Sequence, residues 1–171
     1  MTTLLRKTAQ KPEPVLDHHR PAAQFARMPL NLIKLCVGAD SIDDLIGWIA
    51  QRTQLAKAQG RSYEQYHTTR QMPRERDKLL DGGSLYWVIK GSIQCRQRIV
   101  DLRPVEGEDG ITRCEIVLEP VIIRVRARRR GPFQGWRYLK GGDAPVDLET
   151  SDKSNLPPPE MEQELAELGL L

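Results

Sequence analysis

Apolar residues first fall into a regular pattern at Pro29. Leu30, Leu32, Ile33, Leu35 and Val37 form a short, almost continuous apolar run ended by Gly38, which predicts a buried first strand. Ser41 with Asp44 three residues on forms a capping-box pattern. Ile42, Leu45, Ile46, Ile49 and Leu55 then recur near helical spacing up to Gly60, with Trp48 close to that apolar face, which predicts a helix over Ser41–Gln59. Tyr63 to Thr69 alternates aromatic and β-branched with polar residues and predicts a strand. Pro73 opens a short charged helical turn to Leu80. After the turn Asp81-Gly82-Gly83-Ser84, the alternation from Leu85 to Leu102 predicts one long strand or two, bent at Gly91. Glu106 to Gly110 is a hairpin turn leading into a strand over Ile111–Leu118. Beyond Pro120, Ile123, Val125 and Ala127 alternate with Arg124, Arg126 and Arg128 as in a half-buried strand, and Gly131 to Tyr138 reads as an aromatic-rich loop.

These elements predict an α+β fold: a mixed or antiparallel sheet, or a small barrel of about five to seven strands, with one main helix packed against it. Residues 1–28, with Pro12, Pro14 and Pro21 and no apolar period, are expected to be a mobile leader, and 29–148 a single domain. Residues 149–171 are expected to form an acidic tail. Pro157 to Pro159 precede a short helix there with Met161, Leu165 and Leu168 on one side. No internal repeat is visible.

Charge sharpens this division. Lys plus Arg against Asp plus Glu is 13 to 9 over residues 1–83, 12 to 6 over 84–140 and 1 to 8 over 141–171, so a basic body carries an acidic end. No apolar run approaches the length needed to span a bilayer, and residues 1–10 lack the apolar stretch of a secretory signal, so a cytoplasmic protein without membrane contact is expected. Cys36, Cys95 and Cys114 are odd in number and widely spaced, which suits reduced thiols. Their spacing is not that of a zinc site, so neither metal nor cofactor is expected.

The basic body suggests a surface for RNA or DNA. Arg96 and Arg98 are two apart and share a strand face, as do Arg124, Arg126 and Arg128. Arg137 adds charge, and Tyr86, Trp87 and Trp136 offer rings that could stack on unpaired bases at about 1–3 kcal/mol each. The other reading is a solvated sheet face in which Glu115 and Glu119 pair with the arginines and the tryptophans are core. His67 and Arg70 would orient the ligand. His67-Thr68-Thr69 contains the His-x-Thr pair of two-histidine phosphoesterases, which makes a phosphoester hydrolase an alternative, but the second copy such a mechanism needs is absent. A protein-interaction adaptor using the C-terminal helix is a further alternative. Asp81-Gly82-Gly83-Ser84 and Lys140-Gly141-Gly142-Asp143 lack the lysine and hydroxyl residue of a phosphate loop and read as turns.

Several separated motifs together resemble a known family. Leu30-Asn31-Leu32-Ile33-Lys34-Leu35-Cys36-Val37-Gly38, Asp81 to Gly91, Cys95-Arg96-Gln97-Arg98, Asp109-Gly110-Ile111 and Pro132 to Leu139 are similar to domain of unknown function 1489, an uncharacterised family found mainly in alphaproteobacteria. The resemblance covers about residues 29–148 and implies no activity. Tyr86 to Arg98 also resembles, more weakly, the central strands of PUA-like β-barrels such as the ASCH and EVE domains, which implies binding of RNA or modified bases. Against the ASCH pattern Gly-x-Lys-x-x-Glu-x-Arg begun at Gly91, Ile93 and Arg96 depart and Arg98 is in step, so no residue role is carried over.

Overall fold

The computed structural model describes residues 28–148 together with Met161, Leu165 and Leu168. The expected leader lies outside these residues, and so does most of the expected tail. Met161 and Leu165 are helical. The chain runs β1 (Asn31–Leu35), α1 (Ile42–Ala58), β2 (Gln65–Thr69), α2 (Arg76–Leu80), β3 (Ser84–Ile89), β4 (Ser92–Glu106), β5 (Thr112–Leu118), β6 (Ile123–Arg129) and β7 (Trp136–Leu139). It is an α+β fold built on a seven-stranded mixed sheet of order β2-β5-β4-β3-β1-β7, with β6 also on β4. Of the expected alternatives, the open mixed sheet is the one formed.

The long strand β4 is the spine. Its first half lies between β3 and β6, and its second half pairs with β5, all antiparallel. A register shift between Ile99 and Asp101 leaves Val100 exposed where the strand passes from one set of neighbours to the next, and a bulge of this kind bends the sheet. The expected bend at Gly91 is instead a complete reversal. Lys90 (φ 44°) and Gly91 (φ 79°) both adopt the left-handed region that a two-residue turn needs, so Leu85–Leu102 is divided between two strands. Gly83 is required for a different reason: a Cβ there would stand 2.3 Å from the Leu79 carbonyl oxygen and 2.4 Å from that of Leu30.

Each face of the sheet carries its own core. Leu32, Leu85, Trp87, Ile89 and Cys95 pack with Ile42, Leu45 and Ile49 of α1, while Ile33, Tyr86, Val88, Ile93, Val125, Phe133 and Leu139 cluster on the other face. Both capping-box bonds form, with Asp44 N–H donating to Ser41 Oγ (3.1 Å) and Ser41 N–H to Asp44 Oδ2 (3.0 Å). Ile46 and Leu55 remain exposed, because the buried stripe of α1 is narrower than its apolar pattern. The expected loop over Gly131–Tyr138 is corrected at its end. Trp136–Leu139 forms an edge strand antiparallel to β1, short enough that its aromatic composition masked the alternation.

The end strand β7 is held to the segment that follows β2, at the other end of the sheet order, by side chains and not by backbone pairing. Trp136 Nε1 donates to the Gln71 carbonyl (3.0 Å), and the Glu75 N–H donates to the Tyr138 hydroxyl oxygen (3.1 Å). The curled sheet is therefore not closed, and a seam runs between β2 and β7.

Candidate functional site: a cationic cleft in the seam

Along this seam lies a cleft of about 520 Å³ lined by Lys34, Thr68, Thr69, Arg70, Gln71, Gln134, Gly135 and Trp136. Strand register explains the gathering. Lys34 stands opposite Trp87 on one side and Trp136 on the other, while the end of β2 brings Thr68, Thr69 and Arg70 across the gap. The Thr69 hydroxyl donates to the Gln71 carbonyl (2.9 Å), which together with the Trp136 bond fixes the turn after β2.

The electrostatics of the cleft are one-sided. It has two cations and no carboxylate in its wall, and neither Lys34 nor Arg70 makes an ion pair among the described residues. Lys34 is half-buried, and burial lowers its pKa from the ordinary lysine value, so its charge is held at a cost that a bound anion would relieve. His67 lies behind the wall rather than in it. Its ring meets Trp87 edge-on with centroids 5.3 Å apart, and burial, aided by the Lys34 charge, pushes its pKa down to about 4, so it is neutral at neutral pH. Burial likewise pushes the half-buried Cys36 thiol up to about 11, so it is protonated.

The arginines predicted from the sequence do not form one surface. Arg96 stands opposite Tyr86 and Ile123, whereas Arg124 stands opposite Cys95, so the two point to opposite faces of the sheet. Most are already engaged. Arg96 binds both carboxylate oxygens of Asp147 (2.7 and 2.5 Å) and donates to Ser84 Oγ (2.9 Å), Arg124 reaches Asp43 (3.0 Å), and Arg98 lies 3.9 Å from Glu119. Arg137 lies over the Phe133 ring on the face away from Lys34, and Arg128 donates to the Asp143 carbonyl (2.5 Å). Arg126 is exposed and makes no ion pair among the described residues. Tyr86 and Trp87, expected as stacking groups, are 6% and 3% exposed and belong to the two cores. Trp87 donates through Nε1 to buried Gln97 Oε1 (2.9 Å), and Gln97 Nε2 donates to the Glu119 carbonyl (2.8 Å).

Of the residues named from the sequence, the cleft therefore unites Arg70 and Trp136, with His67 behind them. It adds Lys34, Thr68, Thr69, Gln71 and Gln134. Lys34 was legible in principle as the one charged position inside the apolar run of β1. Residues 32–171 match the family described as Protein of unknown function (DUF1489). The chain belongs to the DUF1489 family. The match takes in the acidic C-terminal segment that the quoted motifs left out, so both the seam and that segment lie within the DUF1489 region. No curated protein and no solved structure matches the chain.

A second, apolar groove of about 590 Å³ runs along α1, lined by Ile46, Ile49, Ala50, Thr53, Gln54, Lys57, Pro120 and Ile122. Among the described residues no cluster of His, Cys, Asp and Glu has the arrangement to hold a metal, and no helix is long and apolar enough to cross a membrane.

Proposed function

We propose that this DUF1489 protein binds single-stranded nucleic acid, with one nucleotide seated in the seam cleft. The observation that carries this reading is Lys34, a half-buried cation with no acidic partner among the described residues, beside Arg70 and the Trp136 ring. Two cations and the Thr68 and Thr69 hydroxyls suit a phosphate, the Trp136 ring suits a base, and the Gln71 and Gln134 amides can both donate and accept on a base edge. A cleft of about 520 Å³ is in the range that small ligands fill, and a base can enter it only when unpaired.

The test is fluorescence anisotropy with labelled RNA and DNA octanucleotides. Binding that weakens steeply between about 50 and 200 mM salt, and that falls about tenfold or more in Lys34→Ala, is expected. Wild-type affinity retained in Lys34→Ala would overturn the reading.

A second reading, a protein-interaction adaptor, draws on the apolar groove along α1 and on Met161 and Leu168, which are 51% and 72% exposed. Removal of residues 155–171 would then abolish partner capture while leaving oligonucleotide affinity intact. The hydrolase reading gains no support from His67, whose low pKa and edge contact with Trp87 suit a wall residue better than a proton carrier.

A further inference from the structure

A further cationic patch lies at the end of β6. Arg126, Arg128 and Arg130 are exposed there, and the Arg128 guanidinium donates to a carbonyl oxygen rather than to a carboxylate. Arg126 and Arg130 make no ion pair among the described residues. Their backbones are held firmly, since the Arg126 N–H donates to the Val146 carbonyl (2.9 Å) and the Arg130 N–H to that of Gly91 (2.7 Å).

One short stretch of chain joins this patch to the cleft. The chain passes from Arg130 through Gly131, Pro132 and Phe133 to Gln134 and Gly135, which line the cleft, and buried Phe133 pins this connection to the sheet. From β6 through β4, β3 and β1 to β7 are four strand spacings, or about 19 Å. That span exceeds one nucleotide.

We infer that the ligand is a strand of several nucleotides: the seam cleft takes one nucleotide, and the Arg126–Arg130 patch holds phosphates farther along the same strand. This rests on the cleft reading above and adds a second, separable site to it. The Arg126 and Arg130 guanidinium groups, unpaired among the described residues, stand on a rigid backbone that the chain joins to a nucleotide-sized cleft, and this fits the backbone track of a single strand, where charge holds phosphates without reading sequence.

The experiment compares the affinity of the full chain for a nucleoside monophosphate and for a single-stranded octanucleotide, in wild type, Lys34→Ala and the double variant Arg126→Ala/Arg130→Ala. The double variant removes only exposed side chains and keeps both backbone bonds. The expected result is that wild type binds the octamer at least about tenfold more tightly than the monophosphate, and that the double variant loses this advantage while its affinity for the monophosphate is unchanged. Its slope of log affinity against log salt should become shallower by about 1.4, about 0.7 for each of two phosphates. An octamer affinity unchanged in the double variant but lost in Lys34→Ala would overturn the track and leave the cleft reading standing. Loss in the double variant alone would keep a phosphate-binding patch but sink the cleft and the shared strand. No change in either would sink both.

Discussion

Lys34 on β1 and Arg96 on β4 are both cations carried by the sheet, and their surroundings act on them in opposite directions. The hydrogen-bonded Asp147 carboxylate raises the Arg96 pKa, whereas burial lowers that of Lys34, which has no such partner among the described residues. A guanidinium held on both oxygens of one carboxylate has most of its donors satisfied, and a phosphate would have to compete with Asp147 for it. A lysine in a carboxylate-free wall has already lost part of its hydration and gains by meeting an anion. The density of basic residues along the chain therefore does not locate a binding surface. On the reading proposed here, the better guide is the charge left uncompensated, among the described residues, after the fold has paired its own.

Reversing the unpaired charge should produce the largest effect. Lys34→Glu is expected to weaken oligonucleotide binding by about 100-fold, or about 2.7 kcal/mol, in an anisotropy titration. Lys34→Ala should leave the urea midpoint unchanged or slightly raised, since it removes a charge held at a desolvation cost. The next effect concerns the neutral histidine behind that lysine. Because the folded-state pKa of His67 is about 4 against an ordinary 6.5, the unfolded chain binds more protons between these values, so the contribution of His67 to stability is present above pH 6.5 and is lost as pH falls towards 4. Its size is on the order of 2 kcal/mol after allowance for solvent screening at the partly exposed ring. Urea midpoints from pH 7 to 4.5 should show this slope in wild type and a shallower one in His67→Gln. Equal slopes would mean that the ring accepts a proton in the folded state as easily as in the unfolded one.

The elements were largely legible in the sequence because they rest on local signals. The Ser41–Asp44 capping box, the periodic Ile42, Leu45 and Ile49 and the alternation of β5 and β6 each reside within a few residues. The Lys90–Gly91 reversal was half legible: the glycine marked a break, but only a left-handed conformation at Lys90 turns that break into a tight hairpin. The site was less legible for a physical reason. Lys34 and Trp136 pair near one end of the sheet order and Arg70 follows β2 at the other, so the three meet only because the sheet curls, a long-range event with no local pattern. Arg96 and Arg124 mislead in the converse way. Each shares a face with its own i+2 neighbour, but the register of β6 on β4 sets the two strands' arginines on opposite faces, and register depends on which residues pair.

Among the paired arginines the predicted effects are smaller, and they concern stability instead of binding. Arg96→Ala should lower stability by about 1–2 kcal/mol, because it removes three charge-assisted bonds from a half-buried group and leaves without its partner the Asp147 carboxylate, whose neighbours Val146 and Leu148 are held to β6 by backbone bonds. Its oligonucleotide affinity should change less than about twofold. Arg98, two residues along the same strand face, provides the internal control. It lies 3.9 Å from Glu119, with both side chains about half exposed, a geometry in which screening and side-chain entropy cancel most of the attraction. Arg98→Ala is therefore expected to change stability by less than about 0.5 kcal/mol in the same urea titration. A loss for Arg98 as large as that for Arg96 would show that residence on this basic strand, and not the quality of each arginine's pairing, governs its contribution, and the distinction drawn between Arg96 and Lys34 would lose its basis.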